Sequence, residues 1–244
     1  MTKKISRFAS FALAVFLLPS NSASQNPAMQ VSKRQERYTL SIALEFSKRN
    51  RNAAERALAM LIEGGPNAYA SGFLVGDGLV MTAYHVVSGR LSTSKRRILG
   101  FKPDEELQVR AYVNGCPAKV VKVDKDADLA LLTICASSKE AKRPTFQIDP
   151  AVDEQIILIA RPRDNKFLRK GIFQGPYMFQ GKQYWSIKVD ALDGFSGSPV
   201  YNGQGQIVGV FCGYDSTEGV AFISPSAKAQ KFLEDYDAGI GSNP

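Results

Sequence analysis

The stretch SGFLVGDGLVMTAYHVV, residues 71–87, indicates the class of fold. It contains two short runs of β-forming residues separated by Gly-Asp-Gly, which is typical of a tight turn. Similar runs recur as far as residue 224, and no helical periodicity separates one run from the next. The pattern predicts an antiparallel sheet or barrel, because a parallel sheet would need helices between its strands.

The β-rich runs fall into two sets, separated by a polar stretch near residues 136–153. The final segment, SAKAQKFLEDY, has the apolar spacing of a helix. We therefore predict two small β-barrels followed by a helix. The expected bounds are about 69–136 for the first barrel, 137–153 for a linker, 154–224 for the second barrel and 225–236 for the helix.

The N-terminus has the pattern of a secretory signal peptide. A basic start precedes an apolar run at residues 8–18, and small residues surround a cleavage point near residues 23–24. The apolar run is shorter than the roughly 20 residues that span a bilayer. We predict that residues 1–24 are removed and that the mature protein is exported, to a periplasm or outside the cell, with no membrane span.

Residues 25–64 are predicted to form a partly helical extension ahead of a domain at 65–237. Within it, YTLSIALEF alternates apolar and polar residues like a strand, whereas AAERALAMLIEGG is typical of a helix that ends at two glycines. Two interpretations of residues 37–63 stay open. The segment is either an inhibitory pro-segment or a helix docked on the first barrel.

Composition excludes several classes of protein. The 244 residues are 44% hydrophobic, enough for a buried core, so a disordered chain is excluded. The net charge of +8 falls to +5 without the signal peptide, and the basic run at 95–97 is interpreted as a solvated loop, so no nucleic-acid partner is predicted. Cysteines and the one histidine form no metal-type cluster, and no metal or organic cofactor is predicted.

Three cysteines are present in a chain predicted to be exported. Cys116 and Cys135 bracket a strand, a polar turn and a second strand. A turn centred between Lys125 and Asp126 would place these two cysteines opposite each other. The alternatives are a cross-strand disulfide or two independent small core residues, and Cys212 is left over.

Three side chains carry the chemistry of nucleophilic catalysis. His85 lies at the end of a predicted strand in MTAYHVV, Asp128 precedes the apolar run LALLTI, and Ser196 lies in the Gly-flanked turn DGFSGSPV. A serine hydroxyl needs a base to take its proton and a carboxylate to orient that base. The amides of Gly194 and Ser196 are candidates for an oxyanion hole, and Gly197 is expected to leave room for the substrate.

These motifs, with their order His, Asp, Ser, resemble the trypsin-like serine protease superfamily, specifically HtrA-like (Deg) bacterial secreted endopeptidases. The matching stretches are SGFLVGDGLVMTAYHVV, DKDADLALLTI, VDALDGFSGSPVYNGQGQIVGV and GVAFISPSAKAQKFLED. The resemblance implies an all-β double barrel of two six-stranded antiparallel barrels, with the triad in the cleft between them. Asp124 and Asp126 are interpreted as turn residues, and Ser198 as a tolerated small residue.

The chain departs from this family in the nucleophile loop. Phe195 stands where chymotrypsin-type zymogens keep an aspartate, so activation by that ion pair is not expected, and the segment at 190–194 is shorter than in typical HtrA-like proteins. The chain ends soon after Tyr236, and no PDZ domain is expected to follow. The resemblance places the pocket for the residue before the scissile bond at the following positions: Asp190, Leu192, Val210, Phe211 and Gly213.

Three functions follow from these features. The first is an exported serine endopeptidase acting on proteins or peptides, and the second is a binding protein, or a latent enzyme, that keeps the protease fold without turnover. The third, compatible with either, is contact with anionic surfaces through the basic loop at 161–170. Its basic residues are Arg161, Arg163, Lys166, Arg169 and Lys170.

Overall fold

The computed structural model of the protein describes residues 27–50, 53–54, 65–135 and 142–241. The predicted signal peptide and most of the helix predicted from AAERALAMLIEGG lie outside the described residues.

The first barrel is closed by six antiparallel strands in the order β1-β2-β3-β6-β5-β4. Its strands are β1 (Thr39–Lys48), β2 (Ala68–Gly76), β3 (Leu79–Ala83), β4 (Leu107–Val113), β5 (Cys116–Asp124) and β6 (Leu129–Thr133). Two short helices lie on it, α2 (Tyr84–Val87) and α3 (Thr93–Ile98).

The second barrel is also closed, in the order β10-β11-β12-β9-β8-β7. Its strands are β7 (Gln155–Ala160), β8 (Phe167–Phe179), β9 (Lys182–Lys188), β10 (Pro199–Tyr201), β11 (Ile207–Asp215) and β12 (Val220–Pro225). Helix α1 (Pro27–Gln35) precedes the barrels and α4 (Ser226–Asp237) follows them. The predicted all-β double barrel with a C-terminal helix is confirmed.

The first barrel begins at Thr39, not near residue 69 as predicted. Strand β1 pairs with β2 on one side and β4 on the other, so that Ile42 lies opposite both Ala70 and Val113. The alternation in YTLSIALEF is thus the pattern of a barrel strand, and the strand closes what would otherwise be two open sheet edges. Thr39–Lys48 is therefore an integral part of the barrel and not part of a removable pro-segment.

The central strands are apolar on both faces because each faces two cores. In β7, Ile156 and Leu158 point into the second barrel, whereas Ile157 and Ile159 face the first barrel. In β6 of the first barrel, Leu129 and Leu131 belong to the same buried cluster as Ile157 and Ile159. We call this shared apolar layer between the barrels the seam. Helices α1 and α4 pack against it through Val31 and Phe232, among other residues.

Cys116 and Cys135 form a disulfide, with Cα atoms 5.7 Å apart. The register around it differs from the predicted one. Lys119 lies opposite Thr133, and a bulge between Val120 and Lys122 shifts the pairing again before the turn. Cys135 follows the end of β6, so the bond is made diagonally and not between directly opposed residues. A bulge adds a residue to one strand, which a count from the turn cannot reveal.

Candidate active site

His85 lies in α2, the single helical turn that follows β3, and not in a strand as the sequence pattern suggested. The last residue of β3, Ala83, pairs with Leu129, the first residue of β6. The chain segment after β3 and the segment before β6 therefore meet at the same end of the sheet. This pairing brings His85 next to Asp128.

Asp128 holds the imidazole at two points. Its Oδ2 lies 2.8 Å from His85 Nδ1, and its Oδ1 accepts a hydrogen bond of 2.9 Å from the His85 backbone N–H. An ionised carboxylate only accepts, so Nδ1 carries the proton and Nε2 is left as a base. The Asp128 side chain is 13% exposed and that of His85 is 42% exposed, so the carboxylate is shielded while the ring reaches the cleft.

The other nearby acidic residues have different roles. Asp124 Oδ1 accepts from the backbone N–H groups of Asp126 and Ala127 and so caps the turn before β6. The Asp126 side chain is 95% exposed. Neither carboxylate is hydrogen-bonded to the histidine ring, in agreement with their interpretation as turn residues.

Ser196 and His85 line one cavity of about 220 Å³ at the junction of the barrels. Gly194, Leu91 and Lys95 also line it. Ser198 is fully buried and its Oγ has no hydrogen-bond partner among the described residues, so it is closed to a substrate. Of the two serines in the turn, Ser196 is the one that the structure brings to the histidine.

The amides of Gly194 and Ser196 are available to a ligand. Gly194 has a φ of 89°, a conformation that favours glycine. Hydrogen bonds within the loop run from Phe195 N–H to Leu192 O and from Ser198 N–H to Phe195 O. In the described part of the chain, neither the Gly194 nor the Ser196 N–H donates to a protein acceptor. Two unpaired donors beside a serine hydroxyl are what an oxyanion requires.

Gly197 has a different role from the one expected. It has a φ of 83°, and a Cβ at this position would overlap Thr82 Oγ1 and the Ser71 carbonyl. Both atoms belong to the first barrel. Gly197 therefore lets the nucleophile loop lie directly on the first barrel, and the space beside it is filled by protein and not open to a substrate.

Ser71 is a residue that the sequence did not single out. Its backbone N–H donates to Ser196 O at 3.0 Å, and its Oγ donates to Gly194 O at 3.0 Å. The same Oγ accepts from Arg161 N–H, and the Ser71 carbonyl accepts from Thr82 Oγ1. One serine of the first barrel thus fixes the nucleophile loop at two points. A small polar residue at the start of the SGFLV stretch was the available signal.

Phe195 anchors the same loop in the second barrel. Its side chain is fully buried, with its ring centroid 5.4 Å from that of Phe167 and 5.9 Å from the Arg169 guanidinium carbon. A charged residue in this place would lose its hydration, whereas phenylalanine gains apolar contacts. Apolar packing thus holds the loop at the position where chymotrypsin-type zymogens keep an aspartate for an ion pair.

The residues predicted for the specificity pocket are not all accessible. Val210 and Phe211 are at most 3% exposed and pack in the seam and in the second barrel core, which corrects the expectation that their side chains line a pocket. Gly213 follows a bulge and packs against the Phe222 ring. Asp190 is 80% exposed and Leu192 is 48% exposed. Asp190 lines a groove of about 900 Å³ together with Val189 and Tyr214.

Cys212 is the cysteine left over, and its thiol is buried. It lies in a small apolar cluster with Tyr184 and Phe222. Burial raises the pKa of the thiol well above its usual value, and the negative charge of Asp128 raises it further. A thiol held neutral in this way is a poor nucleophile.

The basic loop at 161–170 does not form one continuous surface. Lys166 is paired with Glu36 at 2.6 Å, and Arg169 lies over the rings of Phe167 and Phe195. Arg161 is half-buried between the barrels. Of the five basic residues, Arg163 and Lys170 are the exposed ones without an ion pair in the described part of the chain.

Within the described ranges, no group of three or more His, Cys, Asp or Glu side chains is placed to hold a metal ion. In the same ranges, no helix has the length and apolar character needed to cross a membrane.

Comparison with known proteins gives relatives along most of the chain. It is 28% identical over 180 residues to the chloroplastic Protease Do-like 2 of Arabidopsis thaliana, covering 68% of this chain and 28% of that protein. It is 28% identical over 182 residues to Serine protease HTRA1 of Xenopus tropicalis, covering 69% of this chain and 36% of that protein. The chain thus spans about a third of the length of these curated relatives.

Solved structures share the fold. The Rv3671c protease from M. tuberculosis in its active form superposes with a TM-score of 0.61 at 19% identity, covering 100% of this chain and 96% of that chain. The model of the trypsin-like peptidase domain matches residues 70–210, more than half of the sequence. The chain therefore belongs to the family of trypsin-like peptidase domains.

Proposed function

We propose that the protein is an exported serine endopeptidase that hydrolyses peptide bonds through an acyl-enzyme on Ser196. The observation that carries the proposal is the cavity at the barrel junction. It combines a serine hydroxyl with a histidine whose Nδ1 is 2.8 Å from a shielded carboxylate oxygen, and with two backbone N–H groups that have no protein acceptor in the described chain.

The proposed reaction begins when His85 Nε2 takes the proton of Ser196 Oγ as that oxygen bonds to the scissile carbonyl carbon. Charge that develops on the carbonyl oxygen is stabilised by the N–H groups of Gly194 and Ser196. The C–N bond then breaks, and the imidazolium gives its proton to the leaving amine. A water molecule attacks the ester with His85 again as the base, which releases the acid and restores the serine.

Asp128 has a positioning role in this scheme. It accepts from Nδ1–H and from the His85 backbone N–H, and so selects the tautomer that leaves Nε2 free. It also stabilises the imidazolium that forms during each proton transfer.

Two features support export. The basic, apolar and small-residue pattern of residues 1–24 is that of a signal peptide. The Cys116–Cys135 disulfide suits an oxidising compartment, since such bonds are rare in a reducing cytosol. The mature protein is therefore expected in a periplasm or outside the cell.

The proposal is tested by intact-mass analysis after treatment with a fluorophosphonate probe. We expect one adduct on the wild type and none on Ser196→Ala. The matched control is Ser198→Ala, which removes a buried and unbonded hydroxyl two residues away and should keep both the fold and the adduct. Absence of labelling in a folded wild-type protein would favour the binding protein or latent enzyme.

Peptide hydrolysis supplies a second measure. Members of a triad act together, so Ser196→Ala and His85→Ala should each lower kcat about 10⁶-fold. Asp128→Asn should lower it about 10⁴-fold, because the imidazole is then held in the wrong tautomer. A Ser196→Ala variant with substantial hydrolysis would contradict the assignment of the nucleophile.

A further inference from the structure

On the leaving-group side of the cleft, the geometry points to a subsite for an acidic substrate side chain, with Arg163 as the residue that binds its carboxylate. This inference rests on the proposed function and deepens it by naming a substrate class. It is carried by a second cavity, by the conformation and stacking of Arg163, and by the charges around it.

The second cavity has a volume of about 400 Å³ and adjoins the catalytic one. The two share Tyr69, Leu91, Lys95 and Gly194 among their lining residues. From Gly194 the second cavity extends towards α3 and the turn at 162–165. The segments expected to hold the residue before the scissile bond, at 190–192 and 210–213, do not line it. The part of an extended peptide that follows the scissile bond therefore faces this cavity.

The walls of this cavity are mostly apolar. Their apolar residues are Ala68, Tyr69, Leu91, Ile98, Leu99, Pro162 and Phe167. Ile98, which is 81% exposed, adds accessible apolar surface to this cavity. Such walls suit the methylene groups of a bound side chain.

Arg163 is held at the rim of the cavity by an uncommon backbone. It has φ 53° and ψ 35°, and the next residue, Asp164, also has a positive φ, of 61°. Left-handed backbone is unfavourable for a residue other than glycine. The guanidinium carbon lies 5.0 Å from the centroid of the Tyr69 ring. Stacking of this kind fixes the plane of the guanidinium and leaves its outer N–H groups free to donate.

Arg163 supplies the uncompensated charge of this cavity. The other two charged residues that line it, Lys95 and Asp193, pair with each other at 3.2 Å. Among the described residues, no carboxylate pairs with Arg163. A carboxylate that enters the cavity therefore meets an available, oriented guanidinium, which is the geometry for a two-point hydrogen-bonded ion pair.

A substrate with Glu or Asp soon after the scissile bond gains this interaction, and one with Gln or Asn does not. A lysine in the same place is repelled. Glutamate fits best, because its two methylene groups can lie on the Tyr69 and Leu91 side of the cavity while the carboxylate reaches the rim.

The test starts with digestion of a mixture of proteome-derived peptides by the mature wild-type protein, with cleavage sites read by mass spectrometry. We expect Glu and Asp to be enriched at one of the first three positions after the cut. Paired fluorogenic peptides with Glu or Gln at that position then give kcat/KM. We expect a preference for Glu of about ten-fold at low salt, weakened by added salt as an exposed ion pair requires.

Arg163 variants locate the effect. In Arg163→Gln the Glu/Gln ratio should fall close to one, in Arg163→Lys it should be intermediate, and in Arg163→Glu a peptide with Lys should become preferred. The matched control is Arg97→Gln, which removes the same charge from exposed surface on α3 without lining the cavity, and the Glu/Gln ratio should be retained.

The outcomes separate this inference from the proposed function. A wild-type protein that cuts no peptide overturns both. A wild-type protein that cuts the Glu and Gln peptides equally well overturns the acidic subsite alone. If Arg163→Gln keeps the preference, or Arg97→Gln loses it to the same extent, Arg163 is not the binding residue. Should Arg163→Gln not fold, Arg163→Lys and the salt dependence of the wild type still decide.

Discussion

The two halves of the candidate site are built in different ways. His85 and Asp128 come from chain segments that flank paired strands of one barrel, and they are joined directly by two hydrogen bonds. The nucleophile loop at 193–198 contains no helix or strand, and it is held across the seam by Ser71 of the other barrel. The position of Ser196 is therefore a property of the contact between the barrels and not of the second barrel alone.

Among the substitutions that test whether the first barrel positions the nucleophile loop, Gly197→Ala should have the largest effect. A methyl group here would overlap atoms of Thr82 and Ser71, and the positive φ adds backbone strain. We expect a loss of at least about 3 kcal/mol in the free energy of unfolding. We also expect hydrolysis by the remaining folded protein to be about 100-fold slower, since the loop must lift off the first barrel. Chemical denaturation and peptide kinetics measure the two effects.

Gly181 provides the matched control. It has a φ of 75°, close to the 83° of Gly197, but a Cβ there would meet nothing within 4 Å. Gly181→Ala should therefore cost about 1 kcal/mol of stability, from backbone strain alone, and leave kcat unchanged. Equal effects of the two substitutions would mean that the contact with the first barrel does not position the loop.

A smaller effect is expected from Ser71→Ala. The substitution leaves the Gly194 carbonyl and the Arg161 N–H without their partner, at a cost of about 1–2 kcal/mol in the free energy of unfolding. Because the Gly194 carbonyl belongs to the loop that carries the oxyanion donors, kcat should also fall, about ten-fold. Fluorophosphonate labelling rates and peptide kinetics detect the loss.

Ser186→Ala is the control for this substitution. Ser186 is also buried and also donates to one backbone carbonyl, that of Gly175, but within the second barrel. It should lose about 1 kcal/mol of stability with no change in kcat. If Ser71→Ala likewise changed stability alone, the second half of the site would not depend on the first barrel.

The first half of the site, formed by His85 and Asp128, could largely be predicted from the sequence. Residues that end or begin a strand can be placed from apolar runs, so the pairing of His85 with Asp128 follows once β3 and β6 are assumed to be neighbours. The double barrel and its C-terminal helix followed from the same runs. Strand β1 was not assigned, because an alternating segment separated from the other strands by residues 49–67 gives no local sign that it closes a barrel.

The second half, the nucleophile loop at 193–198, was less predictable, because contacts between distant segments of the chain fix its position. The sequence showed that Gly197 is a glycine but not that Thr82 and Ser71 lie against it. The family resemblance likewise placed Val210 and Phe211, both apolar, in the substrate pocket. Apolar character serves a core equally well, and the structure buries Val210 in the seam and Phe211 in the second barrel core.

The smallest expected effect concerns an ion pair that crosses between the two barrels at a distance from the site. Glu36, just before β1, accepts from Lys166, just before β8, at 2.6 Å and from Ser32 at 3.2 Å. The hydrogen bond from Lys166 is the main cause that lowers the pKa of Glu36 below its usual value. A carboxylate with a depressed pKa stabilises the fold above its unfolded pKa, and that stabilisation is lost as the pH falls through the folded value.

Glu36→Gln should therefore be about 0.5 kcal/mol less stable than the wild type at pH 7, with the difference disappearing in acid below the folded pKa. Urea unfolding of both proteins across this range measures it, with Glu106→Gln as a control, since Glu106 is exposed and 3.9 Å from Arg49. A difference that persists in acid would show that Glu36 acts through packing and not through charge, and a difference as large as that of Ser71→Ala would mean that the barrels are held together as firmly at this edge as at the nucleophile loop.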